Sequence, residues 1–309
     1  MGSSFIKNYI LIVVFIFSFG FQSCNKDASN PVINIPDKEK TDTYNNCITK
    51  GKDNTLEIAT WNIEHFPKSA NTSIEVQSII SYSDYDIWGV EEIEDINSLK
   101  TIVNLDDRYS VLLDADISSG VNRDYHLAYV YRNDKVELLD KQLLPFSSSS
   151  FPRKPLMAKF KWKKDGSIFY VIDLHLKCCS GSSNEDRRRE ASRVLKNYID
   201  TNLPNDKVIV IGDYNDVIYT YSQSEFQNIL DDSQNYKFAD MSLATSSCPQ
   251  CDFSYPSWRP YGSHIDHILI TNELFNSFSS VEVITLDKCS SKYDDEVSDH
   301  RPVVTFFNL

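Results

Sequence analysis

The stretch Val208–Asp216, VIVIGDYND, limits the fold more than any other part of the chain. Its four successive apolar, β-branched residues, Val208 to Ile211, leave no polar face. Such a strand has to be covered on both sides, as in a layered α/β domain. Gly212 permits a sharp turn there and lets another group approach the backbone closely. Asp213, Asn215 and Asp216 follow at the C-terminal edge. Residues two apart in an extended turn point the same way, so a carboxylate stands beside an amide. That pairing suits a hard cation and a phosphate oxygen held together. A solvated Asx turn is the other reading of the same residues, and the stretch alone does not separate the two.

The rest of the chain repeats the pattern of strands ending in polar residues. Leu56–Trp61 alternates as a first strand and ends at Asn62-Ile63-Glu64. Ser73–Tyr82 has Val76, Ile79 and Ile80 at helical spacing behind an N-cap candidate, Thr72. Asp86–Val90 is a second buried strand, ending in Glu91-Glu92. Ile96–Leu105 reads as a short helix. Tyr109–Leu113, Leu127–Tyr131 and Leu156–Trp162 read as strands, and Asp165-Gly166 turns a hairpin into Ile168–Leu176. Asn184–Tyr198 is a charged helix capped by Asn184. Ile265–Ile270 and Val303–Phe307 are late strands. Strands dominate, with helices between some of them, which predicts an α/β sandwich of central sheets with helices outside.

Composition bounds the setting. With 309 residues, 41% of them hydrophobic, the chain is long enough for one large domain. Lys7 precedes an apolar run, Tyr9–Phe21, too short to span a bilayer well and laid out like a secretory leader. Phe21-Gln22-Ser23-Cys24 resembles a bacterial lipobox. Lipidation of Cys24 is the expectation; ordinary secretion and an uncleaved anchor are the alternatives. Residues 1–24 are then a lipoprotein signal peptide, 25–54 a polar, flexible tether, and 55–309 the folded domain. A monomer lipid-anchored in the cell envelope, periplasmic or at the surface, is expected. The formal net charge of −13 repels bulk nucleic acid and anionic membranes unless a metal or a basic patch intervenes. Of seven cysteines, six remain once Cys24 is lipidated, and an even number in an exported chain favours disulfides. A four-thiolate zinc site from Cys178, Cys179, Cys248 and Cys251 is the alternative.

Five strand ends or adjoining turns carry the chemistry: Asn62, Glu92, His175, Asp213 with Asn215, and Asp266, followed later by Ser298-Asp299-His300. Phosphoester hydrolysis needs such a set, a cation to neutralise charge on phosphate and a His–carboxylate pair to deprotonate water. At this point the chain resembles the endonuclease/exonuclease/phosphatase superfamily, the DNase-I-like fold. The motifs TWNIEHF (Thr60–Phe66), DIWGVEEIED (Asp86–Asp95), FPRKPL (Phe151–Leu156), DLHLK (Asp173–Lys177), GDYND (Gly212–Asp216), SHIDHIL (Ser263–Leu269) and SDHRPV (Ser298–Val303) stand in the family's order over about residues 55–309.

The resemblance implies a four-layer α/β sandwich, two central sheets flanked by helices. It also implies a metal set of Glu92, Asn62 and Asp299. Mg²⁺ is the expected ion, with Mn²⁺ or Ca²⁺ as alternatives. Where the family usually has Gln, Glu91 precedes Glu92, which adds charge beside the metal. His175 would bond the phosphate or protonate the leaving group, and Asp213 and Asn215 would place water and phosphate. His300 would be the general base, oriented by Asp266. Arg153 resembles the family's phosphate-contacting arginine, though a solvated loop charge is an equal reading. Many nuclease members carry a Glu that orients the first histidine; Tyr125 stands at that position, with Asp124 one place off. A structural role is expected for His264 and His267, on opposite strand faces. Arg187-Arg188-Arg189 reads as a solvated helix face. Pro256-Ser257-Trp258 resembles the inositol-phosphatase branch, but the residues up to Ile265 intervene before Asp266.

The leading functional expectation is a metal-dependent endonuclease acting on DNA or RNA. A phosphatase or lipid phosphodiesterase of the same superfamily is the second. A non-catalytic surface binding lipoprotein is the third, and the intact residue set argues against it.

Overall fold

Alternating apolar residues sort the strands into two sheets packed face to face. The computed structural model describes residues 43–120, 124–219, 224–248, 253–256 and 262–309. The apolar leader, Cys24, most of the tether, Cys251 and Trp258 lie outside the described residues. In chain order the strands are β1 (Leu56–Phe66), β2 (Ile87–Ile93), β3 (Tyr109–Leu113), β4 (His126–Arg132), β5 (Val136–Leu143), β6 (Leu156–Trp162), β7 (Ile168–His175), β8 (Val208–Asp213), β9 (Tyr236–Phe238), β10 (Asp266–Thr271), β11 (Phe278–Val283) and β12 (Val303–Phe307). One sheet runs β11-β12-β1-β2-β4-β3 and the other β5-β6-β7-β8-β10-β9. Each is mixed, with β1–β2 and β7–β8 parallel at their centres.

The opening strand is covered on both faces, as its sequence requires. Ile209 and Ile211 of β8 join the core between the sheets, with Leu56, Ile58, Ile87 and Tyr129 from the opposite sheet. Val208 and Val210 point outward and join Leu195, Ile199 and Leu203. Leu195 and Ile199 belong to α3 (Ser182–Asn202), whose buried stripe covers the second sheet. On the first sheet, Ile80 of α1 (Thr72–Ser83) and Ile102 and Val103 of α2 (Ile96–Val103) meet Tyr109 and Val130. Helix, sheet, sheet and helix make the four layers.

Several local expectations shift. β8 does not turn at Gly212 but continues to Asp213. Gly212 sits at φ +138°, and a Cβ there would collide with the Leu174 carbonyl of β7, so close approach is its function. α1 starts at Thr72 with Asn71 as its N-cap, one residue earlier than expected. α3 begins at Ser182 behind Gly181, and Asn184 lies inside its first turn. The end of the supposed tether is packed: Tyr44 is 2% exposed and Cys47 is bonded to Cys289. A bridge closing 242 residues restricts the unfolded chain strongly, an effect worth about 2–4 kcal/mol. Cys248 is also disulfide-bonded, while Cys178 and Cys179 are free. The four-thiolate zinc site is therefore excluded. Among the described residues no helix is long and apolar enough to cross a membrane.

Candidate active site

The inward row of each central strand ends in a polar residue at the same rim. In β1 the row is Leu56, Ile58, Thr60, Asn62; in β8 it is Ile209, Ile211, Asp213; in β10 it is Ile270, Ile268, Asp266. The register aligns the ends, because Asp213 pairs with His175 on one side and with Asp266 on the other. Sheet packing then brings Asn62 across, and its amide donates to Asp213 Oδ2 at 3.1 Å and to Glu92 Oε1 at 3.3 Å.

Glu92 reaches this rim by a backbone irregularity. Strict alternation makes Glu91, not Glu92, face the other sheet. The β1–β2 and β2–β4 ladders both break register at this point, and Glu92 holds φ +62°. Such a bulge re-aims a side chain. The backbone N–H of His65 donates to Glu92 Oε2 at 3.2 Å and holds it there. Glu91 lies fully buried beneath, accepting from Thr60 Oγ1 at 2.7 Å. Burial and the Asp173 carboxyl push it well above the usual carboxylate range. This burial opposes the added charge that the sequence leads one to expect beside a metal.

On the other side of the rim, His300 Nδ1 lies 2.8 Å from Asp266 Oδ2. Burial alone would lower this imidazole's pKa, but Asp266, helped by Asp213 and Asp299, outweighs it and holds the group up at about 10. The Ser298 hydroxyl accepts from the His300 N–H at 2.9 Å and donates to the Asn62 carbonyl at 2.7 Å, tying the loop before β12 to the end of β1. The Tyr255 ring stacks on His300 at 4.6 Å, and its hydroxyl lies against Asp299. Asp299 itself is 3.8 Å from His300 Nε2, and its N–H donates to Glu64 Oε2 at 2.8 Å.

His175 Nε2 stands 3.5 Å from Asp213 and 3.7 Å from Glu92. Burial, then the nearby Arg153 and His300, push it well below the ordinary imidazole range, so it is neutral. Among the described residues its Nδ1 is buried with no hydrogen-bond partner. Tyr125 carries the Arg153 guanidinium over its ring at 5.0 Å. Burial lowers the Arg153 pKa, while Glu92 and Asp213 within charge range oppose that. Burial and Asp266 raise Asp213 to about 7. Its Oδ1 accepts from the Asn215 N–H at 2.7 Å, with Asn215 at φ +54°.

All the expected site residues except the undescribed Cys24 therefore meet at one rim. Tyr255, Ser298 and Glu64 join them without having been assigned a role. Ser298 had a signal, since it opens the SDHRPV motif. His264 and His267 do not join the rim; both bond Asp240, at 2.9 and 2.6 Å. Opposite strand faces were expected for them, but His264 precedes β10 and is free of its alternation. Arg188 is not solvated; it is 3% exposed and pairs with Asp216 at 2.7 Å.

The model of the Endonuclease/Exonuclease/phosphatase family matches residues 59–300. The chain belongs to that family. Members of the endonuclease/exonuclease/phosphatase family hydrolyse phosphoester bonds and use divalent metals, and this chain is a hydrolase of that kind. No curated protein matches it. Among solved structures it is similar to D. rerio TDP2 complexed with a single-strand DNA product, at TM-score 0.65 and 17% identity over 83% of this chain and 100% of that one. It is similar to the mannosyl-6-phosphatase of Bacteroides thetaiotaomicron, at TM-score 0.60 and 17% identity over 82% and 99%. The human Nocturnin catalytic domain with bound sulfate follows at TM-score 0.59 and 16% identity over 82% and 94%. At these identities the likeness is one of fold.

The donor set fits the family's metal. Glu92 and Asp299 offer carboxylate oxygens, which are hard donors; Asn62 Oδ1 here accepts from the Glu64 N–H, and its amide nitrogen faces Glu92. Asp213, Asp266 and His300 also lie within metal-ligand reach of one another, but the His300–Asp266 hydrogen bond already occupies the facing atoms.

Proposed function

We propose that the chain is an exported, metal-dependent phosphodiester hydrolase that cleaves nucleic acid as an endonuclease. The observation that carries the reading is the His300–Asp266 pair set across the rim from Glu92, Asn62 and His175. His300 Nε2 takes a proton from water in its neutral form, which a pKa of about 10 makes more populated as pH rises. Asp266 fixes the ring through Nδ1–H and stabilises the imidazolium that forms. Asp213 and Asn215 place the attacking water, and neutral His175 bonds a phosphate oxygen through Nε2. Glu92, Asn62 and Asp299 would hold Mg²⁺, which when bound neutralises charge developing on the phosphate. Arg153 adds a half-buried positive charge, and its stack on Tyr125 offers a platform for a base. Nucleic acid as substrate is further supported by the DNA product in a structural neighbour.

A second reading, a phosphatase of small phosphoesters, is favoured by the net charge of −13, which repels a polyanion, and by the mannosyl-6-phosphatase neighbour. Export is supported by the Cys47–Cys289 bridge, since disulfides persist in oxidising compartments. Lipid anchoring at Cys24 remains part of the proposal, and palmitate labelling of wild type against Cys24→Ala tests it.

The deciding experiment incubates the purified chain with supercoiled plasmid, single-stranded DNA, RNA and mannose 6-phosphate. Each is run with Mg²⁺ or chelator, and against His300→Gln. Chelator-sensitive nicking lost in the variant is expected. Intact nucleic acid with released inorganic phosphate would move the assignment to the phosphatase.

A further inference from the structure

Two adjacent cysteines, Cys178 and Cys179, follow β7 and take no part in the proposed reaction. In an extended chain neighbouring side chains point to opposite faces. This turn brings them together instead. Cys179 holds φ +79°, which non-glycine residues seldom adopt, and its Sγ lies 2.8 Å from that of Cys178. Both thiols are free, Cys178 half-buried and Cys179 exposed. The turn is braced from behind, because buried Arg188 donates to the carbonyls of Lys177 at 2.9 Å and Cys179 at 3.0 Å while pairing with Asp216. The Lys177 ammonium lies 3.3 Å from the Cys178 sulfur. Burial raises the Cys178 thiol pKa, but its contacts with Cys179 and Lys177 outweigh that and lower it; the same sulfur contact raises Cys179. One sulfur is prepared to attack and its neighbour to follow.

We propose that Cys178 and Cys179 form a modification site that closes reversibly to a vicinal disulfide by exchange with an external disulfide. The Cys178 thiolate attacks one sulfur of the external bridge, whose S–S bond breaks and releases one thiolate. The Cys179 thiolate then attacks the Cys178 sulfur of the mixed disulfide and releases the second. Two protein thiols are oxidised, the external disulfide is reduced to two thiols, and the two protons pass to the released thiolates through solvent. Adjacent Cα atoms are about 3.8 Å apart, inside the lower end of ordinary bridges at about 4.4 Å. Strained, exposed bridges are the readily reduced ones, so this one opens under conditions that leave Cys47–Cys289 closed.

The site also bears on the cleft. Arg153 lies within charge range of Cys178, Glu92 and Asp213 together. Resting on the proposed function, bridge closure removes a thiolate from beside the phosphate-binding guanidinium and changes KM more than kcat.

The test incubates the full chain with oxidised glutathione, alkylates remaining thiols under denaturing conditions and maps tryptic peptides. Cleavage after Lys177 leaves both cysteines in one fragment. The expected fragment carries no alkyl group and is lighter than the dithiol by two hydrogens, and dithiothreitol at low concentration restores double alkylation. Cys178→Ser is expected to abolish the bridge, as is Cys179→Ser, with a mixed disulfide accumulating in the latter. A wild-type fragment that keeps two alkylatable thiols, or accumulates glutathione adducts, would overturn the proposal. An unchanged KM in the bridged protein would overturn the link to Arg153. Bridge formation in a chain that hydrolyses nothing would support the modification site while removing the nuclease reading.

Discussion

The molecule contains two buried clusters of acid and histidine that look alike on paper. Asp213, Asp266 and His300 form one; Asp240, His264 and His267 form the other. The second is closed. Ser254 N–H donates to His264 Nδ1 at 3.2 Å, so His264 carries its proton on Nε2 and gives it to Asp240. His267 faces only acceptors, Asp240 at 2.6 Å and the Asp216 carbonyl at 2.9 Å, so both its nitrogens donate and it is an imidazolium. Asp240 Oδ1 takes the Ile268 N–H. The first cluster is left open. Among the described residues Asp266 Oδ1 is buried without a partner, and the carboxylate facing His300 Nε2 is Asp299 at 3.8 Å. A satisfied buried network specifies structure; an incomplete one keeps valences for a ligand. The histidines differ less in type than in what is left for them to bind.

Substitutions break the comparison directly. The largest effect is expected for His300→Gln, which should lower kcat roughly 10²–10⁴-fold in the protein that remains folded, measured by phosphoester turnover alongside thermal melting. In the closed cluster the roles invert. Asp240→Asn leaves an imidazolium buried and unpaired and should cost about 3–5 kcal/mol in urea unfolding, while the folded fraction keeps kcat within severalfold. An Asp240→Asn protein that lost turnover yet kept its stability would end the distinction between the two clusters.

Acidity sharpens it. Burial lowers the His267 pKa, but Asp240 outweighs that and holds it above its ordinary value. Its stabilisation is therefore fully present below about pH 6.5 and is lost as pH rises through the folded value. Burial would raise the Asp240 pKa, but His267 and His264 draw it below the usual carboxylate range. That contribution is present above about pH 3.9 and fades as pH falls. The stability gap between wild type and Asp240→Asn should thus be widest between these limits and narrow on either side, as read from urea titrations across pH. The smallest effect is expected for Tyr255→Leu, which removes the ring on His300 and should cost about 0.5–1.5 kcal/mol, read as a modest loss in kcat/KM.

Much of this was legible beforehand. Apolar runs such as Val208–Ile211 and Ile268–Ile270 mark strands buried on both faces, because no residue in them tolerates water. Edge strands were not: β5 (VELLDKQL) and β11 (FSSVEV) are half exposed, and their mixed composition reads as loop until a neighbour supplies hydrogen bonds. The motifs located Asn62, His175, Asp213 and Asp266, because period-2 alternation carries each inward row to the same rim, and they located His300 in the loop before β12. Alternation could not place Glu92. It takes the bulge in β2 to turn Glu92 toward the rim and leave Glu91 buried beneath. Nor could sequence tell the two Asp–His clusters apart, since Asp240 lies 24 residues from His264 and meets it only when β9 and β10 pair. The sequence by itself determined which side chains are available at each strand end, because strand periodicity is local. Tertiary structure decided which of them are satisfied and which are left open, because a hydrogen bond between distant segments exists only once the sheets have packed.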